Sequence, residues 1–233
     1  MRKELVFLNQ KKNAINDNMF SKNSLLIFSG IVVAGLIIGG SIIYTDGELF
    51  NFQSASSSEI IKDKQELGQG GHVKGNPDAS ITIVEFSDFE CSFCAKFNQT
   101  MNKIMKDYPN DVKWVYRHFP LAGYKNARPS AEASECANEQ GKFWEFHDQL
   151  FENQLRLGKD LYSEIAQELE LNISSFESCL SSRKYKDKVE KDYQDGVKAG
   201  VSGTPGNFIN DIPLGGALPY EQLKKTIDNL LNK

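Results

Sequence analysis

The sequence predicts an α/β domain that carries an inserted block of helices and is preceded by one membrane-spanning helix. Three observations lead there. A stretch of twenty residues near the N-terminus has no charge; a strand–helix–strand pattern follows residue 72; and a long helical region separates that unit from a last strand and helix. The 233 residues suit one domain of ordinary size with extensions. A net charge of −4 lacks the basic footprint of a nucleic-acid-binding protein, so nucleic acid is excluded as a partner.

The uncharged stretch is residues 25–44, LLIFSGIVVAGLIIGGSIIY. As a helix it is about 30 Å long, the thickness of a bilayer core. It exceeds the roughly 7–15 apolar residues of a signal peptide and lacks a clear A-x-A site after it, so an uncleaved anchor is expected. Arg2, Lys3, Lys11, Lys12 and Lys22 precede it, whereas Asp46, Glu48 and Glu59 follow with no Lys or Arg before Lys62. The positive-inside rule therefore expects residues 1–24 in the cytoplasm and the rest of a single-pass cell-membrane protein outside, with membrane lipid contacted through 25–44. Gly35 and Gly39 form a G-x-x-x-G, which in such a helix is ordinary composition. Residues 45–71, with a Ser-Ala-Ser-Ser-Ser run and Gly-Gln-Gly-Gly, read as a solvated linker with a short helix near Glu59 to Leu67.

The folded domain is expected over 72–233. Ile81 to Phe86 is β-branched and apolar, the composition of a buried strand. Cys94, Phe97, Met101, Ile104, Met105 and Tyr108 recur every three or four residues, which marks an amphipathic helix. Asp111 to His118 reads as a second strand. From about 127 to 199 the pattern is helical, with turn signals near Gly141, Gly158 and Asn172. A strand near Asn207 to Asn210 and a helix from Pro219 to Leu231 complete the chain.

The four cysteines are one close pair and two distant singles. Cys91-Ser92-Phe93-Cys94 stands where a buried strand gives way to a helix. The unpaired N–H groups and dipole of a helix N-terminus favour an anion, so a thiolate at Cys91 is stabilised. A thiolate is the nucleophile of disulfide exchange, and Cys94, one turn on, is placed to resolve a mixed disulfide. Cys136, Cys179 and the scattered histidines supply none of the usual zinc-ligand spacings, so no metal is expected. An inert disulfide is the competing reading of the pair.

Several segments, in order, resemble DsbA-like thioredoxin-fold proteins: Val84 to Phe97 (VEFSDFECSFCAKF), Tyr116 to Leu121 (YRHFPL), Gly141 to Asp148 (GKFWEFHD) and Gly200 to Pro205 (GVSGTP). The likeness runs from about residue 72 to the C-terminus. It implies a thioredoxin fold with a helical subdomain inserted at about 127–199. It also implies a cis bond before Pro205, with Pro205 facing the Cys91–Cys94 pair and the Thr204 backbone presented to substrate. At Glu85 it implies a buried acid that exchanges a proton with Cys94, the plain alternative being a strand-end carboxylate facing solvent. Asp88 and Glu90 read as surface charges, and His118 and His147 as packing or hydrogen-bonding residues. The sequence departs from the family pattern after the proline, with Gly206-Asn207 for Thr-Phe and Asn210-Asp211 for Asn-Gly.

Two remaining cysteines outside the cytoplasm are more often paired than free, and some DsbA-like proteins carry a second disulfide across the insertion. A structural bond between Cys136 and Cys179 is therefore expected, a second redox centre being the other reading. The resemblance implies exported proteins as substrates, a redox partner that recycles the active pair, and no cofactor. A client-binding module with little turnover is the alternative function. Ser92-Phe93 matches neither the Pro-His of strong oxidants nor the Gly-Pro of reductants, which leaves the direction of electron flow open. Asn98 and Asn172 head glycosylation triplets.

Overall fold

The computed structural model describes residues 67–232. The anchor at 25–44, the segment before it and the linker up to 66 lie outside the described residues. Among those described, no helix is long and apolar enough to cross a membrane.

Five strands form one mixed sheet: β1 (His72–Gly75), β2 (Ile81–Ser87), β3 (Val112–His118), β4 (Gly206–Ile209) and β5 (Ile212–Leu214), in the order β1-β3-β2-β4-β5. β2 and β3 are parallel, with Ile81 opposite Val112 and Ser87 opposite His118; β1–β3, β2–β4 and β4–β5 are antiparallel. A parallel pair needs a crossover. Here it is α1 (Ser92–Asp107), whose Cys94, Phe97, Met101 and Ile104 are buried at the expected three- and four-residue spacing.

Alternation along the central strands separates two cores. Ile81, Ile83, Trp114 and Tyr116 join the core beneath α1, α7 (Tyr220–Leu230) and most of the inserted helices. Val84, Phe86 and Val115 point the other way, to a smaller core with Phe119 and Phe208. The insertion comprises α2 (Ala127–Asn138), α3 (Phe143–Glu152), α4 (Lys159–Glu168), α5 (Ile173–Ser181) and α6 (Lys186–Lys198). Gly141 ends the α2 turn at φ 73°, a left-handed conformation that glycine adopts without strain. α6 covers the smaller core. A Cβ at its Gly196 would stand 2.6 Å from the Phe119 ring and 2.8 Å from Phe86, so glycine permits the close approach.

β1 and β5 are additions to the expected elements. β1 is short and half-exposed, β5 contains Pro213, and both lie at sheet edges, where period and propensity signals are weakest. The departure at Asn210-Asp211 has a physical resolution. Both residues have positive φ, 44° and 66°, which Asn and Asp tolerate in a two-residue hairpin turn. Asn210 also accepts the Thr82 N–H through its side chain at 2.8 Å.

Candidate active site

Cys91 is the N-cap of α1 and Cys94 lies in its first turn. The strand β2 ends four residues earlier, and the Asp88 carbonyl accepts the Cys91 N–H at 3.1 Å. The loop before β4 supplies the opposite wall. The Thr204–Pro205 peptide bond is cis, and the Cys91 Sγ donates to the Thr204 carbonyl at 3.4 Å. From the insertion, the Gln154 amide donates to the carbonyls of Phe89 and Cys91 at 2.7 and 3.0 Å. Its neighbour Leu155 is fully exposed, as is much of Phe93 between the two cysteines.

Both thiols are buried, Cys94 more completely. Their environments drive them apart. The Cys91 thiol is held down to about 5, chiefly by the hydrogen bond from Cys94, with help from the Thr204 side chain and the backbone N–H groups of Cys94 and Phe93. Cys94 is pushed well above the ordinary thiol range, first by burial and then by its bond to Cys91 and the nearby Glu85. One thiol therefore ionises readily and the other keeps its proton.

Glu85 is wholly buried on the α1 side of β2. Its carboxylate accepts from the Ser87 hydroxyl at 2.7 Å and from the Trp114 indole N–H at 3.0 Å. Burial pushes it up to about 8, against the pull of those two neutral donors.

Asp88 is not a surface charge. It is 2 % exposed, because its two oxygens accept the backbone N–H groups of Glu90 and Leu121, each at 2.8 Å. It thereby ties the turn before Cys91 to the segment after β3, and burial pushes it up to about 6. Glu90 accepts the Asn126 N–H. Ser87, Asp88 and Gln154 are the site residues that sequence reasoning missed. Only Ser87 had a signal, since it stands two residues from Glu85 on one strand face.

Cys136 on α2 and Cys179 on α5 are joined, with Cα atoms 5.8 Å apart. The adjacent Glu135 is 1 % exposed and accepts from His72 Nε2 at 2.8 Å and His118 Nε2 at 2.9 Å. These three groups converge closely enough to offer ligands to a metal. The Lys188 ammonium 3.3 Å from the same Glu135 oxygen already supplies a positive charge there, which suits an ion-pair network better. His147 is buried in the aromatic cluster around Phe89 and Tyr116, where burial pushes it down to about 4. The Asn98 amide carbonyl is occupied by Asn102, and that of Asn172 caps α5 through the Ser175 N–H.

The thioredoxin family model Thioredoxin_4 matches residues 68–229. Among solved structures, oxidised BdbD from Bacillus subtilis is 30% identical with a TM-score of 0.64, over 70% of this chain and 94% of that one. A thioredoxin-like oxidoreductase from Silicibacter pomeroyi, 24% identical with a TM-score of 0.65 over 72% and 98% of the two chains, shares the fold. The Na(+)/H(+) antiporter NhaA 3 of Salinispora tropica is 36% identical over 140 residues, 60% of this chain and 21% of the antiporter. The chain thus spans about a fifth of the length of the curated relatives it matches. With the match covering most of the described domain, the chain belongs to the thioredoxin family.

Proposed function

We propose that this chain is a membrane-anchored enzyme, held by residues 25–44, that donates disulfides to exported proteins outside the cytoplasm. A client thiolate attacks the Cys91 sulfur of the Cys91–Cys94 disulfide, and Cys94 departs and takes a proton from Glu85. A second client thiolate then attacks the client sulfur of the mixed disulfide and releases Cys91 as a thiolate. The client loses two electrons and the Cys91–Cys94 pair gains them. A redox partner restores the disulfide. Thr204 and Pro205 border the client, with Phe93 and Leu155 as apolar flanks.

The observation that carries this reading is the asymmetry of the two thiols. Cys91 held at about 5 is a good leaving group, and its stabilised thiolate favours the reduced protein, which is the property of an oxidant. The antiporter relatives match this chain over about a fifth of their length, and transport is no part of the proposal.

The test is the reduction potential of the pair, measured on membranes washed in high salt. A value above about −200 mV supports a disulfide donor, and one near thioredoxin's about −270 mV makes the chain a reductant. Absence of any exchange leaves the client-binding module. Recovery of the chain in the wash removes the anchor from the reading.

A further inference from the structure

Resting on that reading, we propose that Ser87 is the proton relay between Cys94 and Glu85. Both Glu85 oxygens are engaged, one by the Ser87 hydroxyl at 2.7 Å and the other by the Trp114 indole at 3.0 Å. Among the described residues, neither oxygen is hydrogen-bonded to the Cys94 sulfur. The Trp114 N–H only donates, and it cannot pass a proton on. A serine hydroxyl donates once and accepts twice. Ser87 is 1 % exposed, on the same strand face as Glu85, and near enough to Cys94 to pull its thiol down against the effect of burial.

The relay runs by exchange of two hydrogen bonds. With Glu85 ionised, the Ser87 O–H points to its carboxylate across the 2.7 Å contact. With Glu85 protonated, its O–H donates to Ser87 and the Ser87 O–H turns to the sulfur. When Cys94 leaves the disulfide as a thiolate, Ser87 gives its proton to the sulfur and takes the one on Glu85. The S–S bond breaks, an S–H bond forms, and the carboxyl proton is the one consumed. The titratable groups that face this path are Cys91 and Cys94 from α1, Tyr116 from β3 and Asp88 from the turn.

The test compares Ser87→Thr with Ser87→Val in the full chain. Their side chains have the same shape and differ only in the hydroxyl, so any strain of the larger group is common to both. Reduction of the oxidised chain by a dithiol peptide is followed from pH 6 to 9, in water and in deuterium oxide. Proton relay contributes about 100-fold or more in rate, so Ser87→Val is expected to fall about 100-fold below Ser87→Thr near pH 7. It is also expected to lose the solvent isotope effect and the bend near pH 8, with alkylation of Cys91 unchanged. Equal rates and equal isotope effects in the two variants overturn the relay. A wild-type chain without exchange overturns the functional reading itself.

Discussion

Two buried carboxylates, Glu85 and Glu135, have nearly the same exposure and opposite chemistry. Glu85 meets two neutral donors, so burial wins and its carboxyl rises to about 8. Burial pushes Glu135 up as well, but hydrogen bonds from His118 and His72 outweigh it and hold the carboxyl far below the ordinary range. The Lys188 ammonium stands beside it. Burial therefore does not decide the charge of an acid; the charge of its partners does. One region holds an acid that keeps its proton near neutral pH. The other is locked as a structural joint between β1, β3 and the inserted helices, and it carries the Cys136–Cys179 bond on the next residue.

The sharpest way to break this contrast is Glu135→Ala. Removing one member of a buried ionic group strands its partners, which costs about 3–5 kcal/mol. The expected result is a urea midpoint lowered accordingly, with exchange activity per folded molecule retained in the cold. A loss below about 1 kcal/mol places the joint elsewhere.

The neighbouring disulfide should act in the same direction. Cys136 and Cys179 are 43 residues apart, and closing such a loop stabilises the fold by about 4 kcal/mol in the chain-entropy model. Cys136→Ala/Cys179→Ala should lower the melting temperature and leave low-temperature exchange largely intact. Stepwise reduction with alkylation and mass spectrometry should label Cys91 and Cys94 first. Simultaneous labelling of all four cysteines makes the second pair a redox relay.

The division between the two regions was only half legible in the sequence. Cys91, Cys94 and Glu85 lie within ten residues; the strand-to-helix junction marks the two cysteines from local pattern, whereas the buried acid at Glu85 was implied by the family resemblance. The Glu135 joint depends on His72 and His118, 63 and 17 residues away, and no period connects them. Asp88 was misread for a related reason. A charge in a turn before a helix usually faces water, and the N–H of Leu121 that holds it inside is 33 residues on. The inserted helices were visible as a block because Gly141, Gly158 and Asn172 mark its turns. The break between α5 and α6 has no such residue and falls at Arg183, which adopts φ 53°.

The smallest effect, and the one with a distinctive sign, is the pH dependence of stability. Glu85 has a folded value near 8 against 4.5 for the free group, so the folded protein holds its proton longer than the unfolded chain. Between those values the native state binds more protons, and stability falls as pH rises, levelling off above about 8. Glu135 has the opposite shift. Its contribution is present above 4.5 and is lost as pH falls below that value. Glu85→Gln keeps a group that accepts from Trp114 and donates to Ser87, and so mimics the neutral acid. In oxidised protein it should match the wild type in stability near pH 5 and exceed it by on the order of 3 kcal/mol at pH 8 to 9. Urea titrations at pH 5, 7 and 9 measure the gap. Curves for Glu85→Gln and wild type that stay parallel across this range put an ionised carboxylate at Glu85 at neutral pH, and the two buried acids are then alike after all.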